Sequence, residues 1–330
     1  MATPTHTKRK RTEDIENEPA TLQRGDPWFE DGNIVLQAEL TQFKVYGGIL
    51  SSKSDIFKDM FAMPKPQAGE ELVEGCPVVH MMCDTAQDWH HVLKALCDRC
   101  YTFVRTTPLP LAVVAAFLRL GMKYNISTLT ADAMERLSYE FPTTMGRWDS
   151  FDLCSRVDLY TQADYIDVVN LAKEIQLPHF LPTAFLHCIL IDDIFECVLK
   201  GVERQDGSHA VLSGEEQKIC LLGWENIVNM QAETTFAWRD GTQRFALYMA
   251  ICTAPGSCGS ARTRLGSVPR NVFPGCEPFA VWDDCWEAGM CAACVAVAKE
   301  SHDRGREEAW ARLPSMFGLP SWEELLTQTQ

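Results

Sequence analysis

Trp28-Phe-Glu-Asp-Gly-Asn-Ile-Val-Leu-Gln37, followed closely by Phe43-Lys-Val-Tyr-Gly-Gly-Ile-Leu-Ser51, is the stretch that decides the fold. Two runs within it, Asn33-Ile-Val-Leu-Gln-Ala38 and Gln42-Phe-Lys-Val-Tyr46, are short, rich in branched or aromatic residues and separated by a few polar ones. That pattern predicts a two-stranded hairpin. Ile49, Leu50, Ile56, Phe57, Met60 and Phe61 then fall at helical spacings, with Ser51, Ser52 and Ser54 available as caps. Two short helices are expected before Pro64.

Moving outward, Pro77-Val-Val-His-Met-Met82 is a further strand candidate, and Thr85 opens a helix with Trp89, Val92, Leu93 and Leu96 on one face. Pro108 to Lys123 is apolar on nearly every side, which predicts a core helix, and another helix is expected around Ala131 to Tyr139. Leu120-Gly121, Tyr124, Ile126, Leu129 and Ala133 are echoed 51 residues later by Leu171-Ala172, Ile175, Leu177, Phe180 and Ala184. Two copies fall short of a solenoid, so the echo serves only to assign residues 160–190 as helical. Beyond them the strand signal fades, while Gly214 to Gln231 and Asp283 to Arg312 keep helical spacing.

The 330 residues predict two folded units. A hydrophobic content of 46%, 10% aromatic, gives enough apolar surface for most of the chain to fold. The net charge of -15 repels phosphate backbones and anionic membranes, so neither nucleic acid nor membrane is the expected partner. Residues 1–26 read as a solvated tail, in which the Lys8-Arg9-Lys10-Arg11 block is either plain basic tail or a nuclear import signal. No apolar run follows that block, and the longest one, Leu109 to Leu118, is about half the roughly 20 residues that cross a bilayer. The nucleus or the cytoplasm is the expected location, where cysteines remain largely reduced.

The order hairpin, two short helices, strand, helix, apolar helix, helix resembles the BTB/POZ domain, most closely in the BTB proteins found in mushroom-forming fungi. The likeness is carried by the two stretches quoted first, by Ser54-Asp-Ile-Phe-Lys-Asp-Met-Phe61, by Glu74-Gly-Cys-Pro-Val-Val-His80 and by Ala115-Ala-Phe-Leu-Arg-Leu-Gly-Met-Lys-Tyr-Asn-Ile126. It covers residues 27–142. Leu221-Leu-Gly-Trp-Glu225 and Leu313-Pro-Ser-Met-Phe-Gly-Leu-Pro320 look like that group's C-terminal region. The resemblance implies a surface for self-association or for protein partners, with transcriptional corepressors or a cullin ubiquitin-ligase scaffold among them in some members. BTB domains commonly carry His where this chain has Tyr46, whose ring can pack with its hydroxyl at the surface. Scaffold-binding members show an apolar-x-Glu signal where this chain has Phe61-Ala-Met-Pro-Lys65, which weakens the ligase-adaptor alternative. The polar segment before Trp28 likewise argues against a strand-swapped dimer and leaves a homodimer through the helical face.

One constellation could carry chemistry. Cys252-x5-Cys258 and Cys291-x2-Cys294 are two thiol pairs flanking a loop rich in Pro and Gly, and four such thiolates can hold one zinc ion tetrahedrally. The five-residue gap is wider than most zinc sites use, which makes Cys276, Cys285 and His302 candidate substitutes. The alternative is a set of reduced, partly buried thiols beside Trp282 and Trp286. Cys97-x2-Cys100 lacks the strand-turn-helix setting of a redox motif, and the adjacent His90 and His91 point to different faces of a helix. No phosphate loop, dinucleotide fingerprint or nucleophile elbow is present. Trp224, Trp238, Trp282, Trp286, Trp310 and Trp322 are read mainly as helix-packing anchors.

The sequence thus predicts an α+β chain in which a tail (residues 1–26) precedes a BTB/POZ-type domain (27–142) and a mostly α-helical domain with a Cys/Trp-rich end (143–330). It reads as a non-enzymatic adaptor or self-associating protein in which Cys252, Cys258, Cys291 and Cys294 either hold one structural zinc or stay as reduced thiols. A nuclear transcription-associated regulator, a ubiquitin-ligase substrate adaptor and a metal-dependent enzyme are the alternatives.

Overall fold

The computed structural model describes residues 21–63, 71–98, 101, 107–150, 155–190, 193–239, 250–266 and 276–327. Lys8 to Arg11 and Cys100 lie outside them. The chain is of mixed α+β class, with a small curled sheet at its N-terminal end followed by helices.

β1 (Gln23–Arg24) precedes the expected hairpin of β2 (Ile34–Ala38) and β3 (Thr41–Val45), in which Leu36 lies opposite Phe43. β1 falls in the stretch read as tail, and it joins through its backbone. The Gln23 amide donates to the Leu40 carbonyl and the Gly25 amide to the Gln42 carbonyl, each at 2.8 Å, while the β1 side chains stay exposed. Polar side chains on a two-residue strand carry no period from which pairing could be read.

α1 (Gly47–Lys53) and α2 (Asp55–Ala62) follow. Ser54 caps α2, accepting from the Phe57 amide at 3.1 Å, and its hydroxyl donates to the Tyr124 carbonyl at 2.5 Å. Tyr46 packs at a tilt on Phe29, and its hydroxyl donates to Asp31 at the surface. β4 (Leu72–Val73) folds back on β5 (Cys76–His80), which runs parallel to β2 with Val35 opposite Val78. α3 (Ala86–Cys97) opens at Thr85, whose hydroxyl accepts from the Asp88 amide at 3.0 Å, and buries Trp89, Val92 and Leu93. Asp84 beneath it accepts from Trp89 Nε1 (3.0 Å), the Tyr124 hydroxyl and Lys123 Nζ (both 2.5 Å), so one buried carboxylate joins α3 to the next helix.

After β6 (Leu109–Pro110), the apolar helix α4 (Leu111–Lys123) buries every residue from Val113 to Leu118 against α3 and α5 (Ser127–Glu140). Each side chain of Val, Leu or Phe size sealed this way contributes about 1.5–3 kcal/mol. α6 (Met145–Asp149) and β7 (Val157–Asp158) lead to α7 (Gln162–Glu174) and α8 (Leu181–Ile189). The 51-residue echo corresponds to one turn used twice: the Ile126 amide donates to Gly121 at 2.8 Å and the Leu177 amide to Ala172 at 2.9 Å.

α9 (Ile194–Lys200), β8 (Val202–Glu203), β9 (His209–Ala210) and α10 (Gly214–Glu233) come next. The β6–β7 and β8–β9 pairs were not expected, and each is again only two residues long. The chain then forms α11 (Pro255–Gly266), α12 (Ala292–Met316) and α13 (Trp322–Thr327). Asp283 to Arg312 is therefore not one helix. Asp283 accepts from the Cys285 amide and starts a 3-10 turn, Gly289 takes φ 87°, and α12 begins after Cys291.

One hydrophobic core extends from Ile34 to Phe317, and two small satellite clusters lie beside it in the C-terminal part. α12 is fastened to the segment after α5. Trp310 Nε1 donates to the Thr143 carbonyl (3.2 Å), Arg306 pairs with Asp149 (2.5 Å), and Trp310 packs on Trp148, Phe279 and Trp322. Among the described residues no helix is long and apolar enough to cross a membrane.

Candidate metal centre

The two thiol pairs meet at the starts of two helices. Cys252 precedes α11, and Cys258 is the fourth residue of that helix, its amide bonded to the Ala254 carbonyl at 2.9 Å. The five residues between the two cysteines wind through Pro255 into the first helical turn, which returns Cys258 toward Cys252. Cys291 is the N-cap of α12 and Cys294 its third residue. All four sulfurs lie within 4.8 Å of one another. Four sulfurs about 2.3 Å from one tetrahedral ion stand about 3.8 Å apart, so this spacing suits a single ion. The cluster could hold a metal.

Burial and charge are divided unevenly across it. Cys258 and Cys294 are fully buried, whereas Cys252 and Cys291 are partly open to solvent. The Thr253 hydroxyl first, then the backbone amides of Cys294 and Thr253, bring the Cys291 thiol down to about 5. Burial pushes Cys294 up to about 12 and raises Cys258 as well. A divalent ion bound there would supply the charge that lets the buried pair ionise beside their neighbours. Cys258 Sγ already accepts from the Cys291 amide at 3.1 Å, and Cys294 Sγ from Arg262 Nη1 at 3.6 Å.

The candidate substitutes take other roles. His302 is fully buried: its Nδ1 lies 3.2 Å from the Trp238 indole nitrogen, which donates to it, and its Nε2 is 2.9 Å from the Ala280 carbonyl. Both ring nitrogens are thereby engaged. Cys276 packs on the main core, where burial pushes its thiol up to about 12, and Cys285 is exposed. Cys97 is half-buried and raised by that burial. His90 contacts the Asp26 carbonyl and His91 the Tyr101 hydroxyl, yet their rings meet edge to face at 5.3 Å, so they are neighbours rather than set on separate faces.

Hydrophobic support around the cluster is thin. Phe236, Trp238, Leu265, Trp286 and Ala298 form one satellite, with Trp282 packed on it, and the two buried cysteines form the other. Met290 touches both, so the tryptophans and the thiols are neighbours. A core of this size rarely holds a unit together alone, and small units use metals or disulfides to make up the difference.

Two concavities elsewhere were not legible in the sequence, since both assemble from distant segments. One of about 480 Å³ lies between α1, α2 and β5, lined by Ile34, Gly48, Met60, Phe61 and Val79. Another of about 810 Å³ lies between the starts of α4 and α7. Its carboxylates are engaged internally: Asp167 holds Arg204 at 2.6 Å, Asp164 accepts from the Thr161 amide at 2.7 Å, and Asp158 accepts from the Tyr160 hydroxyl at 2.7 Å. In comparisons with protein families, with curated proteins and with solved structures, nothing matches this chain.

Proposed function

We propose that the chain is a non-enzymatic, BTB-type protein-interaction protein whose C-terminal part is held by one structural zinc ion. The observation that carries the reading is the closed set of four cysteine sulfurs at Cys252, Cys258, Cys291 and Cys294. Four protein ligands complete a tetrahedral zinc shell and leave no position for a water or a substrate, as structural sites do. Thiolate donors favour zinc over harder divalent ions such as magnesium.

The interaction half of the proposal is supported by element order. A hairpin, two short helices, a strand parallel to the first hairpin strand and then α3, α4 and α5 follow the sequence expectation for a BTB-type domain. The partners are proteins, a second copy of this chain included, and the apolar concavity beside α1 and α2 is one surface of the proposed domain.

Native mass spectrometry of the purified full chain tests both halves together. The expected spectrum shows a dimer with one zinc per chain. A monomer free of metal would overturn the self-associating, zinc-held form of the proposal.

A further inference from the structure

Four thiolates around a divalent cation leave a charge of 2−, which the surrounding protein must balance if the cluster is to be half-buried. Two contributions come from the fold. α11 and α12 both begin at the cluster, and each helix start presents roughly half a positive charge together with free amides. One of those amides, that of Cys291, points at Cys258 Sγ.

The third contribution is Arg262. It lies on α11, one turn after Cys258, only 7% exposed, with Nη1 3.6 Å from Cys294 Sγ. Its helix is held in place independently of that contact. Arg264 Nη2 donates to the Ala288 carbonyl at 2.8 Å and the Ser257 hydroxyl to the Gly289 carbonyl at 2.7 Å, so α11 is tied to the turn that precedes α12. A buried guanidinium is costly unless it faces negative charge, and a zinc-bound thiolate is such a charge.

We propose that Arg262 is the charge partner of the tetrathiolate, a positioning residue that keeps Cys294 on the metal and suppresses the nucleophilicity of its sulfur. This rests on the zinc reading above. The guanidinium N–H draws density from the sulfur lone pairs and, with the two helix starts, brings the site near neutrality. Cys294 is then a poor attacker of electrophiles. With iodoacetamide, for example, the sulfur would form a bond to carbon, iodide would leave with the electron pair of the broken C–I bond, and zinc would lose a ligand.

The test uses the full chain loaded with one zinc per molecule. Zinc transfer to the chromogenic chelator 4-(2-pyridylazo)resorcinol gives the release rate, and peptide mass spectrometry after iodoacetamide gives the labelling of Cys294. R262M keeps the packing stem without the charge, and R262Q is a second neutral replacement. Both are expected to release zinc about 10- to 100-fold faster than the native chain and to expose Cys294 to alkylation. R262K, which restores the charge, is expected to return most of the protection. R264M, which loosens the tie of α11 to Ala288 without touching sulfur, is expected to release zinc clearly more slowly than R262M. Native rates in R262M and R262Q, or equal acceleration by R264M, would overturn the assignment. A native chain that takes up no zinc would instead overturn the zinc reading, and this inference with it.

Discussion

Asn125 and Gln176 occupy the same position in two successive helical hairpins, with φ of 51° and 57° respectively. Each ends a helix in the left-handed region, and each is followed by the apolar residue, Ile126 or Leu177, whose amide closes the turn. Asn tolerates this conformation better than Gln, because its short side chain can bond locally. Gln176→Gly is therefore expected to stabilise the chain by about 0.5–1 kcal/mol, while Asn125→Gly changes little. Urea unfolding of the two variants checks the difference, and equal effects would mean that the strain is relieved elsewhere.

That pair also shows what the sequence could reveal. The echo was legible because apolar residues at fixed offsets must recur wherever the same turn packs into the same core. The thiol pairs were legible because sulfur is chemically distinctive, and the wide gap at Cys252 was misleading only until Pro255 turned it into helix. The exclusion of His302 was not legible, since it depends on Trp238 and Ala280 meeting it from distant segments. The four short strand pairings, of β1 with β3, β4 with β5, β6 with β7 and β8 with β9, were hidden for a different reason: two residues of strand have no periodicity, and their partners are set by tertiary packing.

The buried cysteines should matter more for the local fold than Cys252 and Cys291, which are partly open to solvent. Cys294→Ser puts a hydroxyl, a poor zinc ligand, into a fully buried position, and the expected loss of zinc affinity exceeds the about 10- to 100-fold that outer contacts contribute. Trp238, Trp282 and Trp286 pack within 6 Å of one another, so near-ultraviolet circular dichroism reports on this unit. The tryptophan signal is expected to collapse in the variant while most helical signal in the far ultraviolet remains. An unchanged near-ultraviolet spectrum would show that the satellite core stands without the metal.

Gly305 is where α12 crosses the chain most closely. A Cβ there would overlap the Thr234 carbonyl, which is backbone and cannot turn aside. A Cβ at Gly223 would overlap the ring of Phe317, a buried side chain that could give way only by repacking on Phe185, whereas at Gly305 the obstacle is backbone. Gly305→Ala is thus expected to cost about 1–3 kcal/mol or more, and Gly223→Ala clearly less, despite the higher helix propensity that alanine brings to both. Thermal unfolding of the pair provides the comparison. A Gly305→Ala variant as stable as the native chain would mean that α12 can slide relative to Thr234.

Acid should loosen the junction between the two helical hairpins through His187. Its ring stacks on Tyr165 at 4.8 Å and meets Phe141 edge-on at 5.6 Å, with Trp148 at 5.5 Å, and burial lowers its pKa from 6.5 to about 4. Above pH 6.5 the ring is neutral in both folded and unfolded chains, and stability does not depend on its titration. Between 6.5 and about 4 the unfolded chain takes up a proton that the folded chain refuses, so stability falls as pH falls, by about 3 kcal/mol at most. His187→Phe removes the proton-binding group and keeps an aromatic ring in the stack. Its urea midpoint is therefore expected to fall less steeply than that of the native chain over this range, with the two curves running parallel above pH 7. Parallel curves throughout would mean that the partly exposed ring accepts its proton as readily in the folded chain as in the unfolded one, and would remove burial as the cause of its lowered pKa.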